Sequence, residues 1–155
     1  MTLKESLGFA ALSLLLPFLL SGLQAGTTPT PTASERERLQ GTWEGAVVGE
    51  KSGDKITITI TGDSLHFHRD ANFWFKTTIT LPAGSDPREL HATIKDCAPP
   101  RDSIGKVVAA IYKIEDGKLT LAAMGEGTDE ASKSFEAAEE QGWTRYELRK
   151  VRPQK

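Results

Sequence analysis

The amino-acid sequence predicts an all-β protein: an antiparallel up-and-down β-barrel of about eight strands, preceded by a short helical turn. Apolar and polar residues alternate with a period of two along most of the chain after Trp43, as in strands that bury one face. Turn-forming residues separate these stretches, and no helical pattern between them is long enough to connect parallel strands. Because closure removes both sheet edges and buries the apolar face, a barrel is the favoured architecture.

Residues 1–25 are predicted to be a secretory signal peptide. Nine of the 16 leucines fall in this segment. Lys4 precedes an apolar run from Leu7 to Leu20, and Ala25 offers a small residue for cleavage. The run is short for a membrane span and contains Pro17, so a cleaved signal is favoured over a retained anchor. We therefore expect an exported protein, periplasmic or extracellular, with no stable membrane span after cleavage.

Residues 26–34 alternate threonine with proline and are predicted to form an extended, solvated linker. One domain, residues 35–155, follows. A helical turn is predicted at its start, because Ser34 and Glu37 have the spacing of a capping box and Gly41 can end the turn in a left-handed conformation.

The alternation assigns the side chains that point into the barrel. The predicted inward residues are Ile56, Ile58 and Ile60, then Leu65 and Phe67, then Phe73, Phe75, Thr77 and Ile79, then Leu90, Ala92 and Ile94. Further strands are predicted over residues 107–114, 119–124 and 143–151. The acidic stretch 125–142 interrupts the pattern and is either a long hairpin tip or a loose helical turn around residues 131–140.

The interior of an eight-stranded barrel is either filled by side chains or large enough for one small ligand. We expect a pocket for a small apolar or amphipathic molecule, with Phe67, Phe73, Phe75 and Ile111 as candidate lining residues. The alternative is a non-catalytic cell-envelope interaction module with a filled barrel. Such a module would contact an unidentified protein partner through outer-face groups such as Trp74 and the acidic stretch.

The sequence carries no signature of a catalytic, phosphate-binding or metal site. No serine lies in a Gly-x-Ser-x-Gly elbow, and no glycine-rich phosphate loop is present. His66 and His68 share one strand face, but we expect them to point outward because Leu65 and Phe67 take the inward face. His91 is separated from them by a whole predicted strand. We therefore expect a protein that is not an enzyme, with no catalytic residues, no metal and no cofactor.

Charge and cysteine content narrow the partners further. The formal net charge is −2 and the basic residues form no clustered patch, so nucleic acid is not an expected partner. Cys97 is the only cysteine, which excludes an internal disulfide. We expect a partly buried free thiol there, with an intermolecular disulfide as the alternative.

Two short motifs resemble the lipocalin and wider calycin pattern. Gly41-Thr42-Trp43 lies at the start of the first predicted strand, and Arg149-Lys150 lies at the end of the last. In those barrels the tryptophan plugs one end and a basic side chain lies across its ring, an arrangement worth about 0.5–2 kcal/mol. The resemblance implies that Trp43 and Arg149 form such a structural plug.

A closer resemblance covers nearly the whole mature chain. The motifs that carry it are Leu39-Gln40-Gly41-Thr42-Trp43, Gly62-Asp63-Ser64-Leu65, Ile111-Tyr112-Lys113-Ile114 and Asp116-Gly117-Lys118-Leu119-Thr120-Leu121. They resemble an uncharacterised lipocalin-like domain family of exported proteins from planctomycete-type bacteria. The resemblance implies a barrel but no established reaction or substrate. The chain departs from the family at Lys133-Ser134-Phe135, where an Arg-Pro pair usually precedes the phenylalanine.

Overall fold

The computed structural model describes residues 33–153, and their side chains from residue 35 onward. The predicted signal peptide and residues 26–32 of the predicted linker lie outside the described residues. Helix α1 covers Ala33–Leu39, so regular structure begins at the last two residues of the predicted linker. No helix within residues 33–153 has the length and apolar character needed to cross a membrane.

Eight antiparallel strands form a closed barrel in chain order, which confirms the predicted fold class. The strands are β1 (Gly41–Val47), β2 (Ile56–Thr61), β3 (Ser64–Asp70), β4 (Phe73–Thr80), β5 (Arg88–Ala98), β6 (Val107–Glu115), β7 (Lys118–Ala123) and β8 (Thr144–Lys150). Each strand pairs with its neighbours in the chain, and β1 pairs with β8 to close the barrel.

The apolar face of each alternating strand forms the barrel interior, as predicted. In β2, Ile56, Ile58 and Ile60 are each 1% exposed, whereas Thr57 and Thr59 face outward and are half-buried. Burying one such aliphatic side chain contributes about 1.5–3 kcal/mol relative to leaving it in water. The period of two in the sequence thus becomes a continuous core around the inside of the barrel.

One end of the barrel, here called the closed end, is filled by Trp43 and covered by α1. Trp43 and Leu39 are each 1% exposed, and the Trp43 indole Nε1 donates a hydrogen bond to the Leu39 carbonyl at 2.8 Å. The Gln40 side chain accepts a bond from the Gly62 amide at 2.7 Å and donates one to the Gly62 carbonyl. These bonds attach the end of α1 to the β2–β3 turn.

The basic side chain over Trp43 is Lys150, so the prediction for Arg149 is wrong. The Lys150 Nζ lies 5.3 Å from the centroid of the Trp43 ring and donates to the Arg38 carbonyl at 3.3 Å. The reason is the alternation of inward and outward side chains along β8. Leu148 is fully buried and points inward, so Lys150 shares its side of β8 while Arg149 points outward and is exposed.

The opposite end, here called the open end, carries the long connections. These are residues 48–55 between β1 and β2, residues 99–106 between β5 and β6, and residues 124–143 between β7 and β8. The last contains helix α2, Phe135–Glu140, whose N-cap Ser134 accepts a bond from the Ala137 amide at 3.0 Å. Of the two interpretations of stretch 125–142, the helical turn is therefore the correct one.

Candidate functional site

A cavity of about 310 Å³ occupies the barrel from its middle to the open end. It reaches the surface there, because exposed residues of the open-end loops line it: Arg101, Met124, Gly125 and Glu126. Ligand pockets usually measure about 300–1,000 Å³, so this one matches a small molecule.

Three phenylalanines form one wall of the cavity near the opening. Phe67, Phe73 and Phe75 all line it and are all half-buried. The Phe73 and Phe75 ring centroids are 5.3 Å apart with near-perpendicular planes, and Phe67 lies 6.2 Å from each. Such edge-to-face packing favours a defined ring arrangement. The structure thus brings together three of the four residues predicted to line a pocket.

The deeper part of the cavity is lined by aliphatic side chains. They are Ile58, Leu65, Leu90, Ala92, Ile94, Ala110 and Leu121. Thr77 is the polar residue there, and its hydroxyl donates to the Leu65 carbonyl at 3.0 Å. Because this donor already has an acceptor, the inner surface favours an apolar occupant. Ala92 and Ala110 have small side chains, so they fill little of the space inside this part of the barrel.

Ile111 does not line the cavity, and its prediction as a lining residue is wrong. It is fully buried on the outer side of the barrel, where it packs with Ala122, Ala138 and Trp143 beneath α2. Val108 and Ala110 line the cavity from β6, so alternation turns Ile111 outward. Helix α2 covers that outer surface, which explains why an isoleucine is accommodated there.

Charged groups of the cavity lining lie at its opening. The Arg101 guanidinium carbon lies 5.5 Å from the Phe73 centroid and 5.7 Å from the Phe75 centroid. Glu126 accepts a hydrogen bond from the hydroxyl of Ser103, which is fully buried. The opening therefore combines one cation within cation–π distance of two aromatic rings with one carboxylate that accepts a hydrogen bond.

Tyr146 adds a neutral polar group to the lining. Its ring centroid is 5.7 Å from that of Phe67 in an edge-on arrangement. Burial, followed by the negative charge of Glu50, raises the pKa of Tyr146 above its usual value. The phenol therefore keeps its proton at neutral pH.

Sequence reasoning missed Arg101, Glu126 and Tyr146. Tyr146 lies two residues before the buried Leu148, so the alternation of β8 continued toward its start would have identified it. Arg101 and Glu126 lie in loops, where no period relates a residue to the barrel interior. Nothing in the sequence marks these two as cavity residues.

The three histidines do not line the cavity. His66 and His68 face outward from β3, with ring centroids 6.0 Å apart, and both are half-buried. Strand β4 separates them from His91, whose Nε2 lies 3.0 Å from Glu89. Within residues 33–153, no group of three or more His, Cys, Asp or Glu side chains is placed to hold a metal ion.

Two other residues singled out in the sequence, Cys97 and Trp74, lie near the open end but are not among the residues that line the cavity. Cys97 is unbridged and buried, with its Sγ 3.6 Å from the Pro99 carbonyl oxygen. Trp74 faces outward from β4 and is half-buried between His66 and Lys76, whose Nζ lies 5.2 Å from the ring centroid. Loop 81–87 joins β4 to β5 at the closed end, at the other end of the strand from Trp74, so it does not cover that side chain.

A second depression lies outside the barrel, between α2 and the β1–β2 loop. It also measures about 310 Å³, and Trp143, Phe135 and Val47 contribute to its lining. The positively charged residue in its lining is Arg145. The guanidinium nitrogens of Arg145 lie 3.8 Å from a carboxylate oxygen of Glu139 and 3.6 Å from one of Glu147. Because these carboxylates share that charge, the depression offers less to a charged ligand than the barrel opening does.

Comparison of the chain with protein-family models, with curated proteins and with solved structures finds no match. Function must therefore be inferred from the size, lining and charge of the cavity.

Proposed function

We propose that this protein is an exported, lipocalin-like barrel that binds one small apolar or amphipathic molecule and catalyses no reaction. The observation that carries the proposal is the cavity of about 310 Å³, apolar inside and open at one end. Burial of ligand carbon against such a wall stabilises the complex by roughly 25 cal/mol per Å² of apolar area removed from water. A ligand of that class needs no metal or reactive side chain to be held.

The cavity favours this function over an envelope interaction module with a filled barrel. A filled barrel would leave no cavity of this size, whereas a space of about 310 Å³ remains between the phenylalanines and small lining residues such as Ala92 and Ala110. The outer-face anchor of the alternative, Trp74, is half-buried against Lys76 and His66. It therefore offers less free aromatic surface to a partner than interface anchors usually do.

The export and family parts of the proposal rest on the sequence. The order of Lys4, the apolar run and Ala25 supports export. The motifs around Trp43, Gly62 and Tyr112 support membership of the lipocalin-like family, and the closed eight-stranded barrel is compatible with it.

A cavity-filling variant tests the binding proposal. Ala123 is half-buried and lines the cavity, so Ala123→Phe should place a ring in the opening. Ala46→Phe is the matched control, because Ala46 is exposed on the outer face of β1. We expect the purified protein and Ala46→Phe to bind the apolar fluorophore N-phenyl-1-naphthylamine, and Ala123→Phe to lose at least tenfold in affinity.

Two results would contradict the proposal. One is the absence of fluorophore binding by the folded wild-type protein, together with no co-purifying small molecule in native mass spectrometry. The other is equal affinity of the two phenylalanine variants when circular dichroism shows both to be folded.

Export is tested separately by expressing residues 1–155 in a bacterium. The exported protein should have the mass of residues 26–155, and retention of the full-length chain in the cytoplasm would exclude it.

A further inference from the structure

The charged side chains that line the cavity are not equally available to a ligand. Glu126 already accepts a hydrogen bond from the buried Ser103 hydroxyl. Arg69 lies over Phe73 at 4.1 Å just outside this lining, but its Nε is paired with Asp70 at 3.0 Å. Arg101 takes part in none of the ion pairs formed within residues 33–153. Its guanidinium therefore keeps donors for a group supplied by a ligand.

The position of Arg101 connects this charge to the apolar cavity. Its guanidinium carbon lies 5.5 Å and 5.7 Å from the ring centroids of Phe73 and Phe75, and the same two rings line the cavity. A cation–π contact with the faces of aromatic rings does not use the N–H donors of a guanidinium, so they remain available for an oxyanion. The apolar wall thus lies beside a cation that forms no ion pair with the described part of the chain.

We propose that the ligand is a single-chain amphiphile with an anionic head group, whose chain occupies the cavity and whose head contacts Arg101. This inference rests on the proposed function, because it names the class of molecule bound in the same cavity. The charges of Arg101 and Glu126 act in opposite senses on a charged head group, and Arg101 is favoured as the contact because Glu126 already accepts the Ser103 hydroxyl. A neutral head would leave the guanidinium with water as its only partner.

The size of the expected preference follows from exposure. Arg101 lies on an exposed loop, so water and salt weaken its attraction to an anion. A charge-assisted hydrogen bond in such a position should favour the anion by about five- to tenfold in affinity over a neutral head on the same chain. Most of the binding energy should come from the chain.

The experiment compares head groups on one chain length. Decanoate, decyl phosphate, decan-1-ol and decylammonium are each titrated, below their aggregation concentrations, against the fluorophore bound to wild-type protein, Arg101→Gln and Arg149→Gln. Arg149→Gln is the matched control, because Arg149 is exposed, faces outward at the closed end and gives the same change in net charge. Including both anions distinguishes a carboxylate head from a phosphate head.

We expect wild type and Arg149→Gln to bind at least one anion about five- to tenfold more tightly than decan-1-ol, with decylammonium weakest. The preference should shrink as salt is raised. Arg101→Gln should lose both the preference and its salt dependence, while its affinity for decan-1-ol stays within about twofold.

The failures of the two proposals can be told apart. If decan-1-ol and the fluorophore bind but no anion is preferred, the head-group inference is wrong and the proposed function stands. The same conclusion follows if Arg101→Gln keeps the wild-type preference. If neither the fluorophore nor any decyl compound binds folded wild-type protein, both proposals fail.

Discussion

At one end of the barrel a fully buried indole, Trp43, fills the interior, whereas at the other end three half-buried phenylalanines leave a cavity. The lengths of the chain connections also differ between the two ends. The closed end carries two two-residue turns and one longer connection, residues 81–87. The open end carries one two-residue turn and three longer loops, 48–55, 99–106 and 124–143. Exposed apolar side chains lie in those loops: Val48 at 41%, Ile104 at 57% and Met124 at 38%.

The comparison assigns different roles to the two ends. Burial and hydrogen bonding at the closed end leave no space to be filled, so that end contributes stability. At the open end the aromatic side chains are only half-buried, and an apolar surface stays accessible to a ligand. Regions with fewer buried contacts are the ones in which proteins usually place ligand binding.

The sharpest test removes one large aromatic side chain from each end. Trp43→Ala should lower the free energy of unfolding by about 3–5 kcal/mol, because it empties a fully enclosed site and removes the bond to the Leu39 carbonyl. Phe73→Ala should cost less than half as much, because that ring is half-buried. Urea unfolding followed by circular dichroism measures both. Equal losses would mean that the ends do not differ in this way.

The seam that closes the barrel should be the next most sensitive place. A Cβ at Gly45 would lie close to the Glu147 carbonyl oxygen, so Gly45→Ala must separate β1 from β8. We expect a loss of about 1–3 kcal/mol in the free energy of unfolding. Gly125, at the open end, has nothing within 4 Å of its Cβ position.

Gly125→Ala is therefore the control for Gly45→Ala. Its effect on the free energy of unfolding should stay within about 1 kcal/mol, because an alanine Cβ meets no neighbouring atom there and restricts the unfolded chain. Thermal and urea denaturation of the two variants give the comparison. A Gly45→Ala protein as stable as wild type would exclude a tight approach of β1 and β8.

A smaller effect should distinguish the two adjacent basic residues at the closed end. Lys150→Ala removes the ammonium group 5.3 Å from the Trp43 ring and its bond to the Arg38 carbonyl, so it should cost about 0.5–1 kcal/mol. Arg149→Ala should leave the free energy of unfolding nearly unchanged, since Arg149 points outward. The reverse order in urea denaturation would mean that the side chain on the ring is Arg149 after all.

The smallest effect on stability is expected at His66, which lies on the outer wall of the barrel between its two ends. Burial, followed by the positive charges of His68 and Lys76, lowers the pKa of His66 below its ordinary value of 6.5. The unfolded chain therefore binds this proton more readily than the folded chain. The contribution of His66 to stability is complete above pH 6.5 and is lost as the pH falls through the folded-state pKa.

Replacing this side chain should reduce the pH dependence. In His66→Gln, the free energy of unfolding should fall less between pH 7.5 and pH 5 than it does in wild type. Nuclear magnetic resonance titration of the His66 ring gives its pKa directly. A value above 6.5 would contradict the expected direction.

Where the two faces of a strand differ in polarity, the sequence predicted the structure correctly. Threonines alternate with isoleucines in β2, and the inward face followed directly from that contrast. The same rule identified Phe67, Phe73 and Phe75 as cavity residues. Strand β6 breaks the rule because Val107 to Tyr112 are apolar or small on both faces.

The errors have physical causes of the same kind. Alternation cannot show that α2 covers the outside of β6, so it does not predict that Ile111 points outward. Which of the adjacent residues Arg149 and Lys150 lies over Trp43 depends on the register of β8 across the closing seam. Arg101 and Glu126 reach the cavity through loop geometry, which depends on tertiary contacts such as the Ser103 hydrogen bond.

Helix α1 leads into β1 at the closed end, and β8 finishes beside it, where the Val151 amide donates to the Thr42 carbonyl at 2.8 Å. The two ends of the folded domain therefore emerge on the same side of the molecule, opposite the cavity. An attachment made directly at either end of residues 33–153 would therefore lie on the side of the domain away from the opening, and would leave access to the cavity free.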